Sequence, residues 1–343
     1  FASLGHPSST VFASVLALAD KIQADMESIQ VSSLIGLEIS IRLGVWLGRE
    51  HYRKGFHVTG TAGTFGAAVA CSHLLALNKK QIRMAIGIAA SRAAGIKAQF
   101  GTMAKPLHIG QAASAGIEAA LLASKDFIAT DEGLSGQQGF SVTHHGEENL
   151  LAFANLGEKY FFENVSHKFH ACCHGLHAML EALEEIKKNR KIQIENLEKL
   201  EVTVHPQYLK ICNISKPSTA LEAKFSFGLC AALCLLGKDT SDLTTFSTEA
   251  CSVKENIFLS SKVIVLTDET FSETKARVCL YLKTGLIIKA EHDLLKFDDI
   301  GQRQFRVQKK ASKIIGEETM KNIWTLISNK PYSAGNITQS LLG

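Results

Sequence analysis

Helical spacing of apolar residues dominates the first 160 residues of the chain. Apolar positions recur every three or four residues over 11–22, and Ser8, Ser9 and Thr10 are candidates for the cap of this helix. Residues 34–50 are apolar nearly all round, as in a buried helix. Small residues, which let helix axes approach closely, dominate three later segments: 63–77, 81–95 and 108–124. The pattern predicts a compact all-α bundle.

The pattern changes after about residue 165, where strands alternate with helices. Residues 174–189 predict an amphipathic helix, and a second helix over 225–237 ends at Gly237. Residues 303–329 return to helical spacing, with a break near Gly316. Alternating or β-branched runs predict strands within 197–206 and 262–269, and a pair joined by a Lys-Thr-Gly turn within 276–293.

The composition is that of a globular protein of 343 residues, with 46% hydrophobic and 20% charged residues. The net charge of +4 comes from scattered basic residues, so we expect no nucleic-acid partner. No run of about 18 apolar residues and no signal-peptide pattern occur. The eight cysteines do not make a disulfide framework in a chain of this length. We therefore expect a cytoplasmic protein without a membrane partner.

Two glycine-containing segments in the first half carry histidines. His6 lies in residues 5–9 at a predicted helix start, where the helix dipole favours an anion; the alternative is an ordinary capping turn. His57 lies in residues 55–66, which lack the G-x-G-x-x-G spacing and the preceding strand of a dinucleotide site. This segment predicts either a ligand-binding turn or close helix packing.

Two further segments concentrate polar groups. Lys105, in residues 101–113, precedes a helix expected to begin near His108, where it would receive a carboxylate or simply face solvent. Residues 168–177 hold three histidines and two cysteines, which by composition alone would suit a metal. The spacing does not, because adjacent cysteines are poor co-ligands and no CxxC occurs.

Taken together, these segments resemble the MmgE/PrpD family, which includes 2-methylcitrate dehydratase, cis-aconitate decarboxylase and an iminodisuccinate epimerase. Residues 55–68 read G-F-H-x-T-G-T-x-G-x-F-G-A-A, close to the first family signature, and residues 101–116 read G-T-x-x-K-x-L-H-x-G-x-A-A-x-x-G, like the second. Residues 168–177 resemble the third signature, and 219–227 resemble the E-A-K-F-S segment. The resemblance runs over nearly the whole chain.

The resemblance implies a mainly α fold, with a large all-α helical bundle domain and an inserted smaller α+β lid domain. The expected boundaries are 1–164 for the first part of the bundle, 165–296 for the lid and 297–343 for C-terminal helices that return to the bundle. It also implies a homodimer, a small anionic polycarboxylate as substrate, and a site in the cleft between the domains. Neither a metal nor a cofactor is expected.

The resemblance also assigns site residues. The family's catalytic positions fall on His6, His57, Lys105 and Lys168. Expected substrate contacts are Thr59, Thr102, Cys173, His177 and Ser226. Cys173 stands where cis-aconitate decarboxylases use a histidine, and Leu229 where an aromatic residue is often found. An acidic segment that precedes the His-Pro pair in the family is absent from a chain that starts at Phe1, and we expect natural residues upstream.

The three family chemistries share one step, the formation or quenching of a carbanion next to a carboxylate. Lysines suit the task of holding carboxylates, and histidines suit the proton transfer. We expect first a lyase that dehydrates a tricarboxylate such as 2-methylcitrate. The alternatives are an isomerase or epimerase, a decarboxylase of the cis-aconitate type, or a catalytically inactive relative.

Overall fold

The computed structural model describes residues 2–296, 299–328 and 333–342. These residues form two compact units: unit 1 (residues 2–165, 321–328 and 333–342) and unit 2 (residues 166–296 and 299–320). The protein is mainly helical, as the sequence predicts. Part of the expected C-terminal segment 297–343 (residues 297, 298, 329–332 and 343) lies outside the described residues.

The α-helices, in chain order, are α1 (Pro7–Ile22), α2 (Met26–Arg53), α3 (Val58–Leu74), α4 (Lys79–Ala90), α5 (Ala104–Ala123), α6 (Phe140–Thr143), α7 (His177–Asn189), α8 (Gln207–Ile211), α9 (Ala220–Ala223), α10 (Phe227–Leu235), α11 (Lys254–Ser261), α12 (Ile300–Ile315), α13 (Glu317–Ser328) and α14 (Ala334–Leu342). The strands, all in unit 2, are β1 (Leu197–Val204), β2 (Val263–Thr267), β3 (Lys275–Leu282) and β4 (Ile287–Asp293). Short 3-10 turns connect several of these elements.

Helix α1 begins earlier than its sequence suggested. The predicted caps Ser8, Ser9 and Thr10 lie inside the helix, which starts at Pro7 with His6 at the cap position. Proline is favoured at the first helical position because its φ is preset and its missing N–H would have no partner there. The prediction of a side-chain cap is therefore wrong, and His6 is fixed at the very start of α1.

Helix α2 is interrupted at Gly48, whose φ is +76°. The carboxylate of Glu147 occupies the space beside Gly48 and accepts a hydrogen bond from the backbone N–H of Glu50 at 2.7 Å. Among the described helices, α2 is long and apolar enough to cross a membrane, but 67% of its most apolar window is buried inside the protein. That burial is typical of a core helix.

Helix α3 occupies the centre of unit 1, with almost every residue buried and with α1, α2, α4 and α5 packed around it. Its small residues permit this close packing, as predicted. A Cβ atom added at Gly66 would lie 2.7 Å from the carbonyl oxygen of Gly36, and one at Gly116 of α5 would lie 2.4 Å from the Cβ atom of Ala67. No larger side chain fits between these helices.

Unit 2 contains one four-stranded sheet in the order β2-β1-β3-β4. β1 pairs in parallel with β2 and antiparallel with β3, and β3 and β4 form the predicted hairpin, with Gly285 at φ +81° in its turn. Helix α7 covers one face of the sheet through buried residues such as Leu180 and Leu183. The predicted ends of the helices are also confirmed, because Gly237 follows α10 at φ +74° and Gly316 separates α12 from α13 at φ +86°.

A buried ion pair in unit 1 holds the backbone of residues 152–162. Arg42 and Glu38 have 1% and 7% of their side chains exposed, and Nε of Arg42 donates to Oε1 of Glu38 at 2.6 Å. The guanidinium also donates to the carbonyl oxygens of Ala152 (2.7 Å), Ala154 (3.3 Å) and Lys159, and Glu38 accepts from the N–H groups of Phe161 (3.0 Å) and Phe162 (2.9 Å). The backbone from 152 to 162 is thus held by charged groups inside the bundle.

Replacing Arg42 by Met should strongly destabilise unit 1, because Glu38 would stay buried without its cation. We expect Arg42→Met to lower the free energy of unfolding by about 3–5 kcal/mol, measured by urea unfolding followed by circular dichroism. The matched control is Arg83→Met, since Arg83 pairs with Asp131 at 2.6 Å with 63% and 50% of their side chains exposed. The control should change stability by less than about 1 kcal/mol. Equal effects of the two substitutions would contradict the role assigned to Arg42.

Candidate functional site

The nine residues predicted for the site divide between the two units. Unit 1 contains His6, His57, Thr59, Thr102 and Lys105, and unit 2 contains Lys168, Cys173, His177 and Ser226. Each group is described within its own unit.

His57 is the centre of the group in unit 1. It occupies the cap position of α3, its backbone N–H donates to the carbonyl oxygen of Gly95 at 2.9 Å, and only 2% of the residue is exposed. Its Nδ1 lies 3.1 Å from Nδ1 of His108. Its Nε2 is buried and has no hydrogen-bond partner among the described residues. Buried polar atoms without a partner are uncommon, and this one marks His57 as a candidate functional group.

Burial, with smaller contributions from the positive charges of Lys105 and His108, lowers the pKa of His57 to about 3. Burial also lowers the pKa of His108. Both rings are therefore neutral near neutral pH, and a hydrogen bond between their Nδ1 atoms contains a single hydrogen.

Phe100 separates His57 from Lys105. Its ring meets the His57 ring edge-on, with centroids 5.0 Å apart, and Nζ of Lys105 lies 4.2 Å from the Phe100 centroid. The cation–π contact holds the ammonium close to the histidine. A cation and a neutral base are thus placed side by side.

Helix α5 starts at Ala104, so the expectation of a start near His108 is wrong. Oγ1 of Thr102 accepts from the N–H of Ala104 at 3.2 Å, the N–H of Lys105 donates to the carbonyl oxygen of Thr102 at 3.3 Å, and Pro106 has no N–H. Met103 occupies the cap position, and the proline is tolerated because it lies in the first turn. Thr102 thus binds the backbone just before and within the start of α5, and Lys105 lies within the first turn, three residues before His108 on the same face.

Two glycines allow the residues around 95 to reach the start of α3. A Cβ atom at Gly60 would lie 2.3 Å from the carbonyl oxygen of Ala94. Gly95 has φ +137°, and a Cβ atom there would lie 3.3 Å from the His108 ring and 3.4 Å from Cβ of His57. Both positions require glycine, the first for space and the second also for its backbone conformation.

Thr59 fixes the backbone of His6 against α3. The N–H of His6 donates to Oγ1 of Thr59 at 3.0 Å, and Thr59 is buried. Thr61, in the next half-turn, shares a 2.9 Å hydrogen bond with Nε2 of His51. The threonines of the first signature thus bind protein groups, and His6 is brought to the same end of α3 as His57.

In unit 2, His170 and Glu181 form a buried polar pair. His170 shares hydrogen bonds with Thr240 (2.6 Å) and with Oε1 of Glu181 (3.1 Å), and Arg306 donates to the same carboxylate oxygen. Burial acts to raise the pKa of Glu181, but the hydrogen bonds and charges of His170 and Arg306 outweigh it and lower the pKa to about 2. This carboxylate is therefore ionised and committed to its partners.

A cationic group lies beside this pair. His177 is 1% exposed, its ring meets those of His170 and His174 edge-on, and its Nε2 has no hydrogen-bond partner among the described residues. Nζ of Lys310 donates to the carbonyl oxygens of Lys168 and His170, and burial, then the charge of Lys168, lowers the pKa of Lys310 to about 8. Burial, followed by the positive charges of its neighbours, holds the pKa of His177 well below its usual range. His177 is therefore neutral, and the positive charges of Lys168 and Lys310 beside it would suit an anion.

The remaining predicted residues of unit 2 have structural contacts. Ser226 is fully buried, and its Oγ accepts from the N–H of Leu229 at 3.2 Å, so it caps α10. Leu229 is buried in the core of unit 2. Cys173 is half-buried, and its N–H donates to the carbonyl oxygen of Lys224 at 2.9 Å.

Sequence reasoning missed four contributors: His108, Phe100, Glu181 and Lys310. The spacing of His108, three residues after Lys105 in the second signature, could have identified it. The predicted helix start near His108 was misplaced, and this concealed that the two residues lie on the same face of one helix. Within the described ranges, no group of three His, Cys, Asp or Glu side chains has an arrangement that would hold a metal ion.

Comparison with known proteins adds to this geometry. Residues 2–150 match the MmgE/PrpD N-terminal domain, and residues 170–294 match the MmgE/PrpD C-terminal domain. Similar curated proteins include the cis-aconitate decarboxylase of Homo sapiens, 35% identical over 143 residues, which are 40% of this chain and 30% of the relative. The cis-aconitate decarboxylase-like protein oryM of Aspergillus oryzae (strain ATCC 42149 / RIB 40) is 30% identical over 172 residues (46% and 35%), and the cis-aconitate decarboxylase of Aspergillus terreus (strain NIH 2624 / FGSC A1156) is 27% identical over 200 residues (53% and 40%).

The matched segments thus span between 30% and 40% of the length of these relatives. The two domain matches, in contrast, cover most of this chain, in the order in which the family has them. The chain therefore belongs to the MmgE/PrpD family.

Proposed function

We propose that this protein is a lyase that acts on a small polycarboxylate by moving a proton on the carbon next to a carboxylate. The observation that carries the proposal is the buried ring of His57, with its available Nε2 and the ammonium of Lys105 close by. A neutral base beside a fixed cation suits an acidic C–H group beside a carboxylate. The reaction that this pairing favours is dehydration of a tricarboxylate such as 2-methylcitrate.

In this scheme the carboxylate next to the reacting carbon pairs with Lys105, and Nε2 of His57 takes the proton from that carbon. The hydroxyl on the neighbouring carbon leaves with a second proton, so the substrate loses one water molecule and gains a double bond. His6 is the candidate acid, because Thr59 holds it at the same end of α3 as His57.

Substrate charge makes His57 a better base. In the free protein, burial and then the charges of Lys105 and His108 keep its pKa at about 3. A bound carboxylate offsets the charge of Lys105 and favours the imidazolium form, so the pKa of His57 rises when the substrate binds. Proton transfer is thereby tied to the presence of the substrate.

The cationic group of unit 2 suits the same class of ligand. Lys168 is exposed, and Lys310 and His177 lie in its electrostatic surroundings. We retain Lys168 and His177 as candidate contacts for carboxylates. The proposal also includes a homodimer, a cytoplasmic location, a lid role for residues 165–296, and no metal or cofactor.

Decarboxylation of cis-aconitate is the second candidate, because the similar curated proteins carry that name. Loss of CO2 would leave a carbanion, which a single acid can protonate. Cys173 and Leu229 stand where the family resemblance leads us to expect a histidine and an aromatic residue, and these two differences count against decarboxylation.

Turnover of four acids by the purified protein tests the function. We expect 2-methylcitrate to lose water without release of CO2, measured by mass spectrometry of the products. Release of CO2 from cis-aconitate would identify a decarboxylase instead, and inversion of iminodisuccinate an epimerase. If the protein converts none of the four acids (2-methylcitrate, citrate, cis-aconitate and iminodisuccinate), the proposed function is contradicted.

Removing the charge of Lys105 should weaken catalysis without weakening the fold. We expect Lys105→Met to lower kcat/KM about 10- to 100-fold, because a charge-assisted contact to the substrate is lost. The melting temperature should change by less than about 2 °C, since a cation in the first turn is disfavoured by the helix dipole. Lys80→Met is the matched control, because Lys80 is exposed at the same position of α4. A similar loss in both variants would place the substrate elsewhere.

Replacing His57 should lower kcat more than it raises KM, because a proton-transfer group acts mainly in the transition state. We expect His57→Gln to lower kcat about 10²- to 10⁴-fold.

The same variant tests the burial of the His57 ring. The pKa of His57 is about 3 in the folded protein, against about 6.5 in an unfolded chain, so the unfolded state binds more protons between these values.

Acidification from pH 7 to 5 therefore destabilises the wild type through this residue. The stability that the neutral His57 ring contributes is fully present above about pH 6.5 and is lost as the pH falls. His57→Gln should lose about 2 kcal/mol less stability over that interval, measured by urea unfolding at both pH values. Equal losses in wild type and variant would mean that His57 is not a buried neutral ring.

A further inference from the structure

The pair formed by His57 and His108 has an asymmetry in exposure. His57 is almost completely buried, and its Nε2 has no partner in the described part of the chain. His108 is half-buried, on the second turn of α5. Their Nδ1 atoms are 3.1 Å apart, and the space beside Gly95, where a Cβ atom would lie 3.3 Å from the His108 ring and 3.4 Å from Cβ of His57, is bounded by both residues.

The single hydrogen between the two Nδ1 atoms can belong to either ring. If it belongs to His108, then His57 carries its own hydrogen on Nε2, as a buried donor without an acceptor. If it belongs to His57, then Nε2 of His57 is a bare lone pair, and the donor Nε2–H falls on the half-exposed ring of His108. Buried donors without acceptors are rarer than under-satisfied acceptors. The second arrangement is therefore the favoured one.

We propose that His108 is a positioning residue that accepts the Nδ1 hydrogen of His57 and so makes Nε2 of His57 the base of the site. The catalytic part of this inference rests on the proposed function. The position of the hydrogen between the two rings is independent of it. In the reaction, the bond between the substrate carbon and its hydrogen breaks, the proton joins Nε2 of His57, and the electron pair stays on the carbon. The resulting imidazolium keeps Nδ1–H directed at the neutral nitrogen of His108.

The surroundings of His108 keep it in the accepting form. The ammonium of Lys105, on the same helix as His108, and the apolar ring of Phe100 lie around the pair. Burial lowers the pKa of His108 and so favours its neutral form. Water is excluded from this buried space. The neutral Nδ1 of His108 is therefore the acceptor that stabilises a protonated His57.

Two substitutions of equal size separate this role from packing. Asn places a polar atom close to the position of histidine Nδ1, whereas Leu has the same shape without it. We expect His108→Leu to lower kcat about 10- to 100-fold, with KM changed less than about threefold. His108→Asn should restore kcat to within about fivefold of wild type. His145→Asn is the control, because His145 is exposed in the same unit and Asn tolerates its φ of 55°.

Nitrogen-15 NMR of the histidine rings tests the hydrogen placement without any substrate. In the wild type, we expect His57 to carry its hydrogen on Nδ1, and the His108→Leu variant to shift it toward Nε2. A wild-type His57 protonated on Nε2, or equal kcat for the Leu and Asn variants, would overturn the inference. An inactive wild type with the expected NMR signals would instead overturn the proposed function and leave the hydrogen placement supported.

Discussion

The contact between residues 94–95 and the first turn of α3 is the constraint on which the site in unit 1 depends. It exists because Gly60 and Gly95 have no side chains, and it places the carbonyl oxygen of Gly95 on the N–H of His57. The chain that continues from Gly95 brings Phe100 and then α5, so Lys105 and His108 reach His57 through the same contact. A side chain at either glycine would therefore displace His57, Lys105 and His108 relative to one another.

Both units contain buried imidazoles beside cations, but they differ in how the charge is balanced. In unit 1 the pKa of His57 is lowered by burial, Lys105 and His108, with no carboxylate among the described residues to offset them, so the charge of a bound anion would raise its basicity. In unit 2 the ionised Glu181 already binds His170 and Arg306, and the positive charges beside the neutral His177 are those of Lys168 and Lys310. The first arrangement suits proton transfer, and the second suits retention of an anion.

Much of the fold could be predicted from local pattern, since periodicity determines which face of a helix or strand is buried. The hairpin of β3 and β4 and the breaks at Gly237 and Gly316 are of this kind. The errors at α1 and α5 came from prolines in first turns, which conceal a helix start. The signatures pointed to His57 and Lys105 as candidates, but their neighbours could not be predicted, because His57 and His108 are 51 residues apart in sequence and Arg306 and Glu181 are 125 apart. Such contacts depend on packing that no local pattern records.

The charged groups at Arg42 and the packing of α14 have a consequence for biosynthesis. Arg42 and Glu38 lack most of their backbone partners until the ribosome has made the chain as far as residue 162. Ala334 and Ile337 of α14, which lie in one core with Val11 and Val15 of α1, are made only after all of unit 2. Part of the apolar face of α1 therefore stays uncovered during synthesis until α14 has been made. The core of unit 1 is thus completed only after unit 2 has been synthesised.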